Sequence, residues 1–215
     1  MKIFVLSTPA LLRPPKQSFK YPAHNENYDM EQDFYIWLKK QKNIITNNPV
    51  EADWHYLPVY FTRWHINHNF AEHGEGLAQL QQEVDEIIID EKKTFTIALF
   101  DGGTLIDVGK TVVFNGARTI NSCIDVPLIC SPHRKPPIPV KKKYLASFNG
   151  SFFTHPIRIE MHKRFETNPE VLIEGGIPTR FYKRWFWGKN YNLNIMASYV
   201  ALSPRGSSCS SFRFF

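Results

Sequence analysis

The sequence predicts an α/β protein of two units. Three observations carry this: short continuous apolar runs alternate with helix-like segments, a proline-rich stretch interrupts the alternation, and the composition is that of a folded chain. Of 215 residues, 43% are apolar and 21% charged, with 11 Gly and 15 Pro. Those proportions exclude a disordered, collagen-like or fully membrane-embedded chain. At about 150 residues per domain the length corresponds to roughly one and a half domains.

The elements follow in order. Ile3–Leu6 reads as a buried first strand. It is too short for a signal-peptide core, because Pro9 breaks the run and Arg13-Pro14-Pro15 ends it. A helix is predicted over Asp29–Lys42, where Phe34, Trp37 and Leu38 recur at helical spacing. Trp54–Tyr60 reads as a strand. Leu77–Ile89 reads as a helix with Leu77, Leu80, Val84, Ile87 and Ile88 on one face. Phe95–Phe100 and Thr111–Phe114 are further strands. Continuous apolar runs suit parallel strands covered on both faces.

Ser131–Pro139 holds four prolines in nine residues. Such backbone is extended and cannot continue a helix. The predicted division is residues 1–130, a linker over 131–140, and a second unit over 141–215. The second unit offers strands at Tyr144–Phe148, Val171–Ile173 and Tyr199–Leu202. It also offers a helix at Pro156–Phe165, with proline in the first turn, where it is tolerated. No run approaches the ~20 apolar residues of a membrane helix. A water-soluble, cytoplasmic protein with no membrane span is therefore expected.

The net charge of +6, from 26 basic and 20 acidic residues, favours anionic partners. Cys123, Cys130 and Cys209 fit no zinc spacing and no small disulfide framework. His65 and His68 lie three residues apart, with His55 and His73 near them, yet no carboxylate or cysteine completes a metal set. No metal and no cofactor are expected. Trp64, His65 and His68 read better as a polar and aromatic surface.

The last segment is the most informative. Tyr199–Leu202 runs into Ser203-Pro204-Arg205-Gly206, and a hydroxyl-rich loop follows. Ser210 or Ser211 is placed to cap a helix. Backbone N–H groups at a helix start suit phosphate, and Arg205 and Arg213 offer fork-shaped cations for it. An ordinary strand–turn–helix with two surface arginines reads the same residues equally simply.

The pattern Leu-Ser-Pro-Arg-Gly followed by Ser-Ser-Phe-Arg-Phe-Phe resembles the donor-site signature of exostosin-like glycosyltransferases. Other blocks resemble that family in the same order. They are Glu51–Tyr60, Thr94–Gly103, Ile124–Pro127, and Leu145–Gly150 with His155–Arg158. The resemblance implies a GT-B fold of two Rossmann-like domains, the second one incomplete. It implies inverting transfer from a nucleotide-diphosphate sugar, by family default a UDP-sugar, to a hydroxyl of a glycan or glycoprotein.

Such chemistry needs a base, a held sugar and a stabilised diphosphate. Asp101 is the expected base, at the carboxyl end of a buried strand and followed by Gly102 and Gly103. Asp107 is the fallback. Asn149, Arg158, Arg205, Gly206, Ser210, Ser211 and Arg213 are the expected donor contacts, with Asn149 on a loop and Arg158 on a helix. Trp64, His65 and His68 are the expected acceptor contacts. In the family a glutamate follows the final block, so a truncated donor domain and weak or absent turnover are expected of the 215-residue chain. Two competitors stay open: an inactive remnant, and a nucleic-acid-binding module centred on Lys183, Arg184 and Trp185. An amphipathic helix, with its aromatics in the core and its cations outside, is the preferred reading of the latter stretch, so no nucleic-acid partner is expected.

Overall fold

The computed structural model describes residues 1–15, 27–116, 123–126, 139–175 and 191–204. The chain divides into two compact units, Met1–Ser131 and Pro132–Phe215. Both are α/β and of the Rossmann-like class.

The first unit contains β1 (Ile3–Val5), α1 (Asn27–Lys39), β2 (Ile45–Thr46), β3 (Trp54–Tyr56), α2 (Phe61–Asn67), α3 (Leu77–Ile87), β4 (Thr94–Ala98), β5 (Val112–Asn115) and β6 (Cys123–Asp125). Its strands form one parallel sheet in the order β2-β1-β3-β4-β5-β6. All five residues of β4 are buried, as a parallel strand covered on both faces must be. Its threonines are admitted because carbonyls accept their hydroxyls: Thr94 Oγ1 donates to Asp90 O (2.6 Å) and Thr96 Oγ1 to Leu57 O (2.9 Å).

The two faces carry separate cores. Phe34 and Leu38 of α1 pack with Ile3, Tyr56 and Phe95. The Phe95 ring lies 5.2 Å from Tyr56, 6.2 Å from Phe34 and 6.0 Å from Phe114. On the other face Phe61 and Trp64 of α2 pack with Leu80 and Val84 of α3, Leu57 and Val113. Neighbouring Tyr56 and Leu57 therefore serve opposite cores, as strand alternation requires.

The second unit contains β7 (Tyr144–Gly150), α4 (Pro156–Phe165), β8 (Val171–Gly175) and β9 (Ser198–Ala201). Residues 191–196 are helical. The strands are parallel in the order β8-β7-β9. Pro156 sits in the first turn of α4, and His155 Nδ1 accepts from the Ile157 amide at 3.2 Å.

The structure shortens the predicted strand Trp54–Tyr60 to Trp54–Tyr56 and adds α2, which sequence reading missed. Pro58 has no N–H to extend the ladder. Residues 61–66 are all buried, so no alternation of apolar and polar residues announces that helix. Among the described residues, no helix is long and apolar enough to cross a membrane.

Candidate functional site

Open α/β sheets bind ligands beyond the carboxyl ends of their strands, where the strand order reverses. Among the described strands, each unit has one such point. In the first it lies between β1 and β3, and in the second between β7 and β9.

In the second unit Arg158, on the first turn of α4, spans this point. Its Nη1 donates to Ser151 O beyond β7 (2.9 Å), and its Nη2 donates to Pro204 O beyond β9 (3.3 Å). The guanidinium also lies 5.3 Å from the centre of the Phe148 ring. At 6% exposure it is a buried brace rather than the solvated helix arginine its position suggests. Asn149 is likewise a buried residue of strand β7, not of a loop. Its Nδ2 donates to Glu174 Oε2 of β8 (2.8 Å), and Asn194 Nδ2 donates to the same oxygen (2.8 Å). Sequence reading missed Glu174 and Asn194. Arg205, Gly206, Ser210, Ser211 and Arg213 lie outside the described residues, as do Cys130, Cys209 and the stretch around Lys183, Arg184 and Trp185.

In the first unit Asp101 sits on the turn beyond β4, closed by the Gly103 amide donating to Phe100 O (2.8 Å). Gly103 has a φ of +74°, a conformation glycine adopts without strain. Asp101 is exposed, yet the protein around its carboxyl desolvates it and raises its pKa above the ordinary carboxylate value. Asp107 is held elsewhere on the loop. Its amide donates to Gln81 Oε1, and its carboxylate accepts from the Gly109 amide, both at 2.8 Å.

The three expected acceptor contacts are mostly internal. His65 has no exposed surface and Trp64 has 3%. His65 Nε2 donates to Thr104 O (3.0 Å), which leaves Nδ1 as a buried acceptor with no partner among the described residues. Burial lowers the His65 pKa to about 4. Trp64 Nε1 donates to Gly76 O (3.2 Å), and its ring stacks on His68 at 4.4 Å. His68 is half-buried and donates from Nδ1 to Trp64 O (2.8 Å). Among the described residues no three His, Cys, Asp or Glu side chains come together as a metal group.

A second group was not foreseen. Glu31 of α1 is 1% exposed. Its Oε1 accepts from the Leu99 amide (3.0 Å) and Thr62 Oγ1 (2.8 Å), and its Oε2 accepts from the Thr62 amide (3.1 Å). Burial raises its pKa to about 7, although those donors and Arg63 pull it down. Arg63 is buried beside it and reaches Asp29 Oδ1 (2.6 Å) and Gln32 Oε1 (2.7 Å). A signal was present in the sequence: Glu31 lies on the same helical stripe as Phe34 and Leu38.

Beside this group, at the β1/β3 point, Ala10, Arg13, Gln32, Tyr35, Ile36 and Tyr60 line a shallow cavity of about 420 Å³. Burial raises the Tyr60 pKa, with Arg13 and Arg63 opposing it.

No protein-family model matches the chain, and no curated protein matches it.

Proposed function

We propose that the chain is an inverting glycosyltransferase of the exostosin-like, GT-B type, whose donor is a nucleotide-diphosphate sugar, in the first instance a UDP-sugar. The observation that supports this most is Arg158, buried and braced between the carboxyl edges of β7 and β9. It anchors the chain at Pro204, immediately before the Arg-Gly-Ser segment whose residues suit phosphate. In this reading Arg205, Gly206, Ser210, Ser211 and Arg213 hold the diphosphate, while Asn149 and Arg158 position that edge.

The acceptor hydroxyl oxygen attacks the anomeric carbon as the bond from that carbon to the diphosphate oxygen breaks. The bond's electron pair leaves with the diphosphate, where the arginines stabilise the growing charge. Asp101 takes the hydroxyl proton. A carboxylate whose pKa is raised toward working pH is the better base, and desolvation moves Asp101 in that direction. The GT-B arrangement, which brings the two edges to one cleft, is part of the proposal. The acceptor is a glycan or glycoprotein, met by the edge that Trp64, His65 and His68 build and support.

Uridine diphosphate should raise the melting temperature of the full chain, and Arg213→Ala should abolish that rise. The absence of a shift with any nucleoside diphosphate would refute the reading. Thermal shifts with a panel of UDP-sugars then rank the sugars.

A further inference from the structure

We propose that the crevice between the carboxyl ends of β1 and β3 binds a small organic oxyanion, a carboxylate or phosphate carried on a ring. This site lies wholly in the first unit and does not depend on the glycosyl-transfer reading.

The position comes first. The strand order reverses between β1 and β3, and ligands of doubly wound sheets settle there. The cavity of about 420 Å³ is within the size range of small-molecule sites.

The polar groups on its wall all have donors to give. Tyr60 is 6% exposed, lines the cavity, and its hydroxyl has no hydrogen-bond partner among the described residues. Gln32 spends its carbonyl oxygen on Arg63 (2.7 Å), which leaves its amide hydrogens. Tyr35 Oη accepts from Arg13 Nη1 (2.9 Å), which leaves its own proton to donate. Arg13 Nη2 donates to Thr8 O (3.0 Å). Both acceptors are neutral, so the Arg13 charge meets no carboxylate among the described residues. Arg63, by contrast, is matched by Asp29 at 2.6 Å.

A wall of donors around an unmatched guanidinium calls for an acceptor-rich, negatively charged group. Ala10, Ile36 and the ring faces of Tyr35 and Tyr60, 6.5 Å apart and inclined at 67°, offer apolar surface to a ring attached to it.

The test is isothermal titration of the full chain with benzoate, phenyl phosphate and neutral benzyl alcohol. Either anion, or both, should bind in the millimolar range or tighter, and benzyl alcohol should not. The tighter anion identifies the acid group. Tyr60→Phe keeps the ring and removes only the hydroxyl, and should weaken binding about tenfold. Arg13→Gln should weaken it at least as much. Arg213→Ala, in the second unit, should leave it unchanged, which separates this site from the proposed diphosphate site. No anion binding to the native chain, equal binding of benzyl alcohol, or unchanged affinity in Tyr60→Phe would overturn the proposal. If Arg13→Gln does not fold, Tyr60→Phe decides alone.

Discussion

Glu31 and His65 are buried titratable groups of one unit, and acid acts on them in opposite senses. The folded pKa of Glu31, about 7, lies above its ordinary 4.5. Its contribution to stability is full below pH 4.5 and is lost as pH rises through 7. The folded pKa of His65, about 4, lies below its ordinary 6.5. Its contribution is full above pH 6.5 and is lost as pH falls through 4. Each shift corresponds to about 3 kcal/mol, so the two offset one another between pH 4.5 and 6.5. Glu31→Gln removes one side of this balance. The variant should lose stability on acidification more steeply than the native chain, with the gap changing by about 3 kcal/mol between pH 7.5 and 4.5. Urea unfolding of both proteins at the two pH values measures it, and a gap that does not change with pH would contradict the assignment. The glutamate itself was legible: a carboxylate on the apolar stripe of α1 is a conflict visible in the sequence. What it meets was not legible, because its donors, Thr62 and Leu99, come from distant segments.

At the scale of elements, the end of β8 meets α4 through one aromatic ring. Phe152 stacks on His162 of α4 at 4.7 Å, and a Cβ added at Gly175 would overlap the Phe152 ring. Gly175→Ala must therefore push that ring off His162 and strain the packing of α4 on the sheet. The expected cost is about 1–3 kcal/mol, the usual range for overpacking; Gly175→Ala with Phe152→Leu should recover much of it. A thermal melt of both variants checks this, and an unperturbed single variant would show that the ring yields freely. Run length and period decide which elements the sequence revealed. The segments over β4, β7, β8 and β9 are short runs rich in apolar residues, and α3 keeps one stripe, so each was readable. Ile45–Thr46 and Cys123–Asp125 were not, because two or three residues carry no period and only the register with a neighbour makes them strands. The predicted strand Tyr144–Phe148 stops one residue short of Asn149, which places that residue on a loop. In β7 its amide is satisfied across the strand pair by Glu174.

At the scale of the molecule, the described residues of the two units differ in how many large side chains they enclose. Of the largest fully enclosed side chains among the described residues, Phe148 alone belongs to the second unit. Arg63, Tyr56, Phe61, Leu12, Leu38, Leu57, Leu80, His65, Glu31, Val59 and Val84 belong to the first. All of β4 is buried, whereas Tyr144 and Leu145 of β7 are not, and a segment with less enclosed surface opens at lower free energy. Amides of β7 should therefore exchange with solvent faster than those of β4 when peptides spanning Tyr144–Gly150 and Thr94–Ala98 are followed by mass spectrometry. The two proposed sites make this measurement more discriminating. A ligand at a hundred times its dissociation constant adds about 2.7 kcal/mol to the unit that binds it, which slows exchange through full opening of that unit about a hundredfold. Uridine diphosphate should slow β7 and leave β4 unchanged, whereas the ring-bearing oxyanion should slow β1, β3 and β4 and leave β7 unchanged. Equal slowing of both units by either ligand would show that they open together, and β7 exchanging no faster than β4 without ligand would show that the less enclosed strand is not the weaker one.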